Sequence, residues 1–346
     1  MHLRTKPTRA AALSLLRRAL LLCLSVLLTT SGLGAQSAQQ PDPKPTQGPK
    51  VHRDPSGDYR LSIDVDLVVL HTTVVNRQGQ VVSDLKQEHF QVYEDKVPQK
   101  LALFRQEDIP LTVGLVIDNS ASMHRDRQEL RAAALTFVET SNPLDEVFVV
   151  NFNDDYYLDL EQGRDFSSDI NELKEALEKT ETRGGTALWD ALRASINHSK
   201  RGTQQKKVLL AITDGVDRYS RTGYDDLLRY AQQSEIGVYI VMLRGNEGGR
   251  DWRRARRQLR KLAKVTGGKI YFPPSIEQVR FLCKQIAHDI RNQYVLAYYP
   301  TNRARDGSFR TVRVQLKAPK KLGRLSARTR TGYYAPAPED AGSHGP

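Results

Sequence analysis

Apolar residues follow two rhythms along this chain, and the change of rhythm divides it. From Leu61 to Phe104 the runs are short and alternate with polar residues, the period-two pattern of strands with one buried face. Leu61–Leu70 and Thr72–Asn76 predict strands, and Arg77-Gln-Gly-Gln80 supplies a turn. Phe90–Glu94 alternates again, Asp95-Lys96 turns, and Lys100–Phe104 returns. Between Leu111 and about Asn292 the runs Leu111–Ile117, Glu146–Phe152, Lys207–Thr213 and Gly237–Leu243 are nearly continuous. Strands covered on both faces look like that. Amphipathic stretches separate them and predict helices over Leu130–Thr140, Ile170–Lys179, Ala187–His198, Asp225–Gln233, Trp252–Val265 and Ile276–Arg291. Gly267-Gly268 ends the fifth, ahead of a last strand, Lys269–Phe272. Alternation then returns in Tyr294–Tyr299, Phe309–Lys317 and Leu325–Arg330, with Asp306-Gly307 as a hairpin signal between the first two.

Strand and helix in regular succession predict an α/β fold, a doubly wound and mostly parallel sheet with helices on both faces. It spans residues 109–292. The β segments 59–108 and 293–335 each hold too few strands to cover two faces. They are expected to pair as one small β-sandwich, with the α/β domain inserted between its halves.

The ends of the chain carry no such pattern. Residues 36–58 are rich in Gln, Pro, Lys and Asp and predict a disordered linker, and residues 336–346 a disordered tail. The first 35 residues run from basic (through Arg18) to apolar (Ala19–Leu28) to small (Ser31–Ala35), the order of a secretory signal peptide cleaved near Ala35 or Gln36. An uncleaved anchor is the alternative, but the run is short for a bilayer. The implied destination is the periplasm or the outside of the cell. Export leaves Cys283 as the lone cysteine, which cannot form an internal disulfide and sits at a core position of the sixth helical pattern.

Of 346 residues, 39% are hydrophobic and 27% charged, enough apolar material for a sizeable core. The formal charge is +12, but Arg4, Lys6, Arg9, Arg17 and Arg18 lie in the signal segment. The remainder is mildly basic, which suits acidic surfaces and does not indicate nucleic acid.

Candidate chemistry gathers where the predicted strands end. Asp118-Asn-Ser-Ala-Ser122 follows the first α/β strand, Arg183-Gly-Gly-Thr186 opens a helix, and Thr213-Asp214-Gly215 follows a later strand. In open α/β sheets, ligands bind at the carboxyl ends of strands. These three loops resemble the metal-ion-dependent adhesion site of von Willebrand factor type A domains, in a likeness covering roughly half the chain. The resemblance implies a divalent cation held by Asp118, Ser120, Ser122, Thr186 and Asp214, with the hydroxyls bound directly and the two carboxylates often acting through water. Hard oxygen donors suit magnesium best, with manganese or calcium as alternatives. Few formal negative charges then face the ion, and a partner's Asp or Glu supplies the missing anionic oxygen. The flanking stretches Val81–Phe104 and Tyr294–Tyr334 are similar to VWFA-related proteins first described as a family in Acidobacteria.

Other features have plainer readings. Asn153-Asp154-Asp155 reaches the same edge but reads as a solvated acidic turn. The basic stretch Arg250–Lys264 reads as a solvated helix face, with anionic lipid or polysaccharide contact through Arg253, Arg254, Arg257 and Arg260 as the functional alternative. Catalysis finds little support, since the histidines are scattered and neither H-E-x-x-H nor G-x-S-x-G occurs. The expected function is therefore an exported, non-enzymatic adhesion module. An envelope assembly factor anchored by the basic helix is the alternative, and a metal-dependent hydrolase a third.

Overall fold

The computed structural model describes residues 50–53, 59–62, 67–106, 108–140, 142–243, 249–317, 319 and 322–337. The expected signal peptide, most of the linker and the end of the tail lie outside them. Two compact units are distinguished, up to Asp64 and from Val65 onward. In the first, β1 (Lys50–Arg53) and β2 (Tyr59–Ser62) pair antiparallel. Among the described residues no helix is long and apolar enough to cross a membrane.

The second unit opens with β3 (Val68–Val75), β4 (Phe90–Glu94), β5 (Val97–Gln99) and β6 (Leu101–Arg105). The α/β domain follows. Its strands are β7 (Leu111–Asp118), β8 (Glu146–Phe152), β9 (Tyr156–Leu158), β10 (Lys206–Thr213), β11 (Ile236–Met242) and β12 (Ile270–Tyr271). They form one sheet in the order β12-β11-β10-β7-β8-β9, parallel throughout except for β9, which runs antiparallel to β8 at one edge. Every residue of β7 is buried, as expected for a central strand covered on both faces. The helices are α1 (Arg127–Glu139), α2 (Ile170–Lys179), α3 (Leu188–Ser199), α4 (Tyr224–Gln233), α5 (Arg250–Val265) and α6 (Glu277–Arg291). One packed group joins α1 to α2 and α6, and another joins α3, α4 and α5. Each buries its apolar stripe in the core shared with the sheet, for example Leu173, Ala176 and Leu177 of α2. Cys283 is fully buried in α6, and burial pushes its thiol up to about 12.

The chain then supplies β13 (Tyr294–Tyr298), β14 (Phe309–Leu316), β15 (Ser326–Arg328) and β16 (Gly332–Tyr334). These interleave with the earlier strands in two four-stranded antiparallel sheets, β15-β3-β13-β6 and β16-β14-β4-β5. Each sheet therefore draws strands from before and after the α/β domain. One apolar cluster joins the two, with Val68, Leu70, Phe90, Val92, Tyr294 and Leu296 among its members. Rings of Phe90, Phe104 and Tyr294 meet at centroid distances of 4.8 to 5.7 Å. Within this core Glu94 accepts hydrogen bonds from Tyr298 Oη at 2.8 Å and Tyr333 Oη at 2.7 Å, and pairs with the equally buried Arg310 at 3.5 Å.

Several predicted elements need correction. Asp306-Gly307 does not make a hairpin between β13 and β14. Gly307 does turn with a φ of +66°, but both edges of β13 are occupied by β3 and β6. The chain therefore crosses to the other sheet. The short strands β5, β9 and β16 carry too little alternation to stand out. The expected break at His71 between two early strands is absent, because β3 runs through it.

Candidate metal centre

Strand order sets the position of the three loops. From β7 the chain moves to β8 on one side and later to β10 on the other, so the switch point lies around β7. Asp118 closes β7, and Asp214 directly follows β10 beside it. A strand of eight residues spans about 25 Å. The loops thus sit well away from the start of β7, where the chain arrives from β6.

Asp118 is buried and held on both oxygens. Its Oδ1 accepts from the Ser120 backbone N–H at 2.9 Å and its Oδ2 from Thr213 Oγ1 at 2.6 Å. Ser120 Oγ lies 3.1 Å from Ser122 Oγ, and Ser122 Oγ donates to Asp214 Oδ2 at 2.7 Å. A continuous chain of oxygens therefore joins the first and third loops. A short 3₁₀ turn, Ala121–Met123, presents Ser122 to solvent, while Ser120 stays buried beneath it. Burial, then the charge of Asp214, pushes the Asp118 carboxyl up to about 7.

Thr186, also buried, is brought to this edge by backbone bonds. Ala121 N–H donates to Gly184 O at 3.1 Å, and Arg183 N–H to Asn119 O at 3.0 Å. The Thr186 carbonyl accepts from the N–H groups of Arg218 and Tyr219, just beyond the third loop. Gly184 has a φ of +67°, and a side-chain carbon there would stand 2.0 Å from Asp154 Oδ2. Gly185 would meet the Tyr219 ring at the same distance. The left-handed backbone at Gly184 requires glycine, whereas a side chain at Gly185 would have to displace the exposed Tyr219 ring.

Asp154 and Asp155 are exposed, as expected of a solvated acidic turn, whereas Asn153 is not. Asn153 is buried and its carbonyl accepts from Ala187 N–H at 2.6 Å. Asp154 Oδ1 accepts from Gly185 N–H at 2.5 Å. The turn after β8 thus braces the second loop. Beneath the first loop, Asn119 Nδ2 donates to Asn151 Oδ1 at 2.8 Å, and Asn151 Nδ2 to Asp159 Oδ2 at 2.6 Å. A satisfied buried network of this kind fixes loop geometry. Sequence reasoning gave no supporting part to Thr213 or Asn151; only the position of Thr213 at the end of an apolar run hinted at its role.

Two carboxylates and three hydroxyls make a hard-oxygen donor set with little formal charge, fitting a magnesium-like ion. Among the described residues no three His, Cys, Asp or Glu side chains gather as a metal-binding group. Three of the five donors here are hydroxyls, a different chemistry from a thiolate or imidazole centre.

Residues 113–216 match the family model of the von Willebrand factor type A domain. That stretch runs from β7 to just past Asp214 and holds all three loops. Curated proteins gave no match. Among solved structures, the chain is similar to a von Willebrand factor type A protein from Catenulispora acidiphila, at 14% identity and a TM-score of 0.47, over 73% of this chain and 74% of that one. It is also similar to the vWF domain of the type V pili tip protein Mfa5 from Porphyromonas gingivalis (12%, 0.43, 53% and 95%). A third is the pilus adhesin SpaC from Lactobacillus rhamnosus GG (13%, 0.45, 60% and 35%).

Proposed function

We propose that this von Willebrand factor type A domain is the working part of an exported, non-enzymatic binding module. It holds a divalent cation, magnesium by preference, at Asp118, Ser120, Ser122, Thr186 and Asp214, and captures the carboxylate of a protein partner's Asp or Glu. The carrying observation is the hydrogen-bonded run from the Asp118 carboxylate, through the Ser120 N–H and the Ser120 and Ser122 hydroxyls, to the Asp214 carboxylate. Two carboxylates share this small space, both of them buried, and their mutual repulsion favours a cation between them.

When bound, the ion supplies positive charge and an open position for an anionic oxygen. The chain's own groups supply the rest. Ser120 N–H and Thr213 hold the Asp118 carboxylate in place, the glycine pair lets the second loop approach, and Asp154 fixes that approach. Ser122 stands at the solvent side, where a partner arrives. Tyr156, Tyr157 and Tyr219 are exposed near this edge, and rings of this kind suit the contact ring of a protein interface. Ser120 and Ser122 bond to each other, and Ser122 to Asp214, rather than to an imidazole base, which supports binding over hydrolysis.

Calorimetric titration of magnesium into the parent and Asp118→Ala tests the site. Uptake by the parent and none by the variant is expected. A variant that binds magnesium like the parent would overturn the assignment. Partner capture from envelope extract, expected with magnesium and lost with chelator, tests the functional reading.

A further inference from the structure

The cation loops leave one strongly charged feature unused. Helix α5 buries Ala255, Leu259, Leu262 and Ala263 and exposes a basic face. Beside its C-terminal half lies a groove of about 760 Å³, walled by α5, β12, β14 and β15. Five cations line it, Arg260, Lys264, Lys269, Arg313 and Arg328, and no carboxylate does. Among the described residues Arg260, Lys264 and Arg313 form no ion pair. Asp289 faces Lys269 and Arg328 from within and offsets part of their charge. Two buried polar atoms of the lining residues, Arg328 Nε and Thr329 Oγ1, have no hydrogen-bond partner.

Like charges gathered without counter-charge repel one another, and an anionic partner relieves that cost. We propose that the groove binds a linear anionic polysaccharide, as a second recognition surface independent of the cation loops. Shape and composition favour a chain over a bilayer. The apolar side of α5 is packed inside the protein, and none of the exposed large hydrophobic residues lines the groove. The groove thus offers no exposed large apolar side chain to the acyl boundary of a membrane. Lys269 and Arg328 are only partly exposed within the concavity, within reach of a threaded chain and recessed from a flat surface. Gln315, Ser326 and Thr329 add polar groups suited to sugar hydroxyls. The site therefore centres on the groove shared by α5 and the β-sheets. Of the four arginines singled out on the helix, only Arg260 lines it.

The test uses the full chain in EDTA, which keeps the cation loops empty and separates this inference from the adhesion reading. Heparin and alginate serve as polysaccharide probes, and phosphatidylglycerol vesicles as the lipid arm. Lys264→Glu with Arg313→Glu, both exposed and on opposite walls, should weaken polysaccharide binding about tenfold and flatten its salt dependence. Lys174→Glu with Lys284→Glu makes the same charge change elsewhere and should keep the parent's affinity. Melting temperatures check that both pairs fold, and Lys264→Gln with Arg313→Gln provides a milder version with the same expected direction. Equal loss in the control pair would reduce the effect to net charge and overturn the site. Binding to vesicles but not polysaccharide, or to neither, would overturn it as well.

Discussion

Lys206 is a charge in an unfavourable place, and its removal has a measurable pH signature. It opens β10 with only 3% of its surface exposed, and its Nζ donates to the Ile290 carbonyl. Burial withholds water from the ammonium, and Arg291 adds a like charge. Asp108 and Asp145 compensate weakly because both already hold Arg291, at 2.7 and 2.5 Å. Together these push the Lys206 pKa down from 10.5 to about 7. Between those two values the unfolded chain binds the proton and the folded chain does not. Stability therefore rises with pH across that window, and the full penalty is present below pH 7. Lys206→Met keeps most of the stem and removes the titration. From pH 9 down to pH 6 the parent should lose about 3 kcal/mol that the variant does not, two pH units above the folded value at about 1.4 kcal/mol each. The lost bond to Ile290 costs the variant about 1 kcal/mol at both pH values and leaves this difference intact. Urea denaturation of both proteins at pH 6 and pH 9 gives the double difference, in which other titrating groups cancel. A gap between variant and parent that is the same at both pH values would refute the reasoning.

Two further substitutions probe the site's support and the paired sheets. Gly184→Ala, at a φ of +67° and facing Asp154, should cost about 1–3 kcal/mol and weaken magnesium uptake. Gly163→Ala, at a φ of +88° in open space, should leave uptake unchanged; thermal melts and calorimetry on both check this. Glu94→Gln leaves Arg310 buried without its counter-charge and should cost about 3–5 kcal/mol in urea unfolding, whereas a loss under about 1 kcal/mol would show that the tyrosine bonds alone hold that core.

The α/β domain was legible because its signals are local. Central strands such as β7 and β10 are apolar almost throughout, and each helix repeats its apolar positions at helical spacing, so type and order follow from pattern alone. Boundaries shifted by up to three residues, as at α1, where Arg127 rather than Leu130 opens the helix. The interleaved sheets were legible only as a strand count. Which strands pair depends on contacts between residues some 200 positions apart, such as Leu85 N–H donating to Tyr294 Oη at 2.9 Å. No local pattern encodes such a contact, and the turn at Asp306-Gly307 gave the wrong partner because a turn fixes a reversal and not a neighbour.

The candidate site divides in the same way. Its five oxygen-bearing residues lie in three short stretches, each at the end of an element, so residue type and position are enough to single them out. The residues that hold those loops are ordinary in sequence. Asp154 is as exposed as its acidic turn suggests, yet nothing local shows that it accepts from Gly185 N–H, and Thr213 looks like the last residue of a strand until Asp118 Oδ2 is found against it. Their roles come from meeting a partner's hydrogen-bonding demand, a property of the folded neighbourhood and not of the residue. The basic groove carries the same lesson at larger scale. Helix α5 announces its charge in sequence, but Arg313 and Arg328 reach the same space from strands about 50 residues or more away, and only the packing of the two sheets beside α5 turns a charged helix face into a concave site.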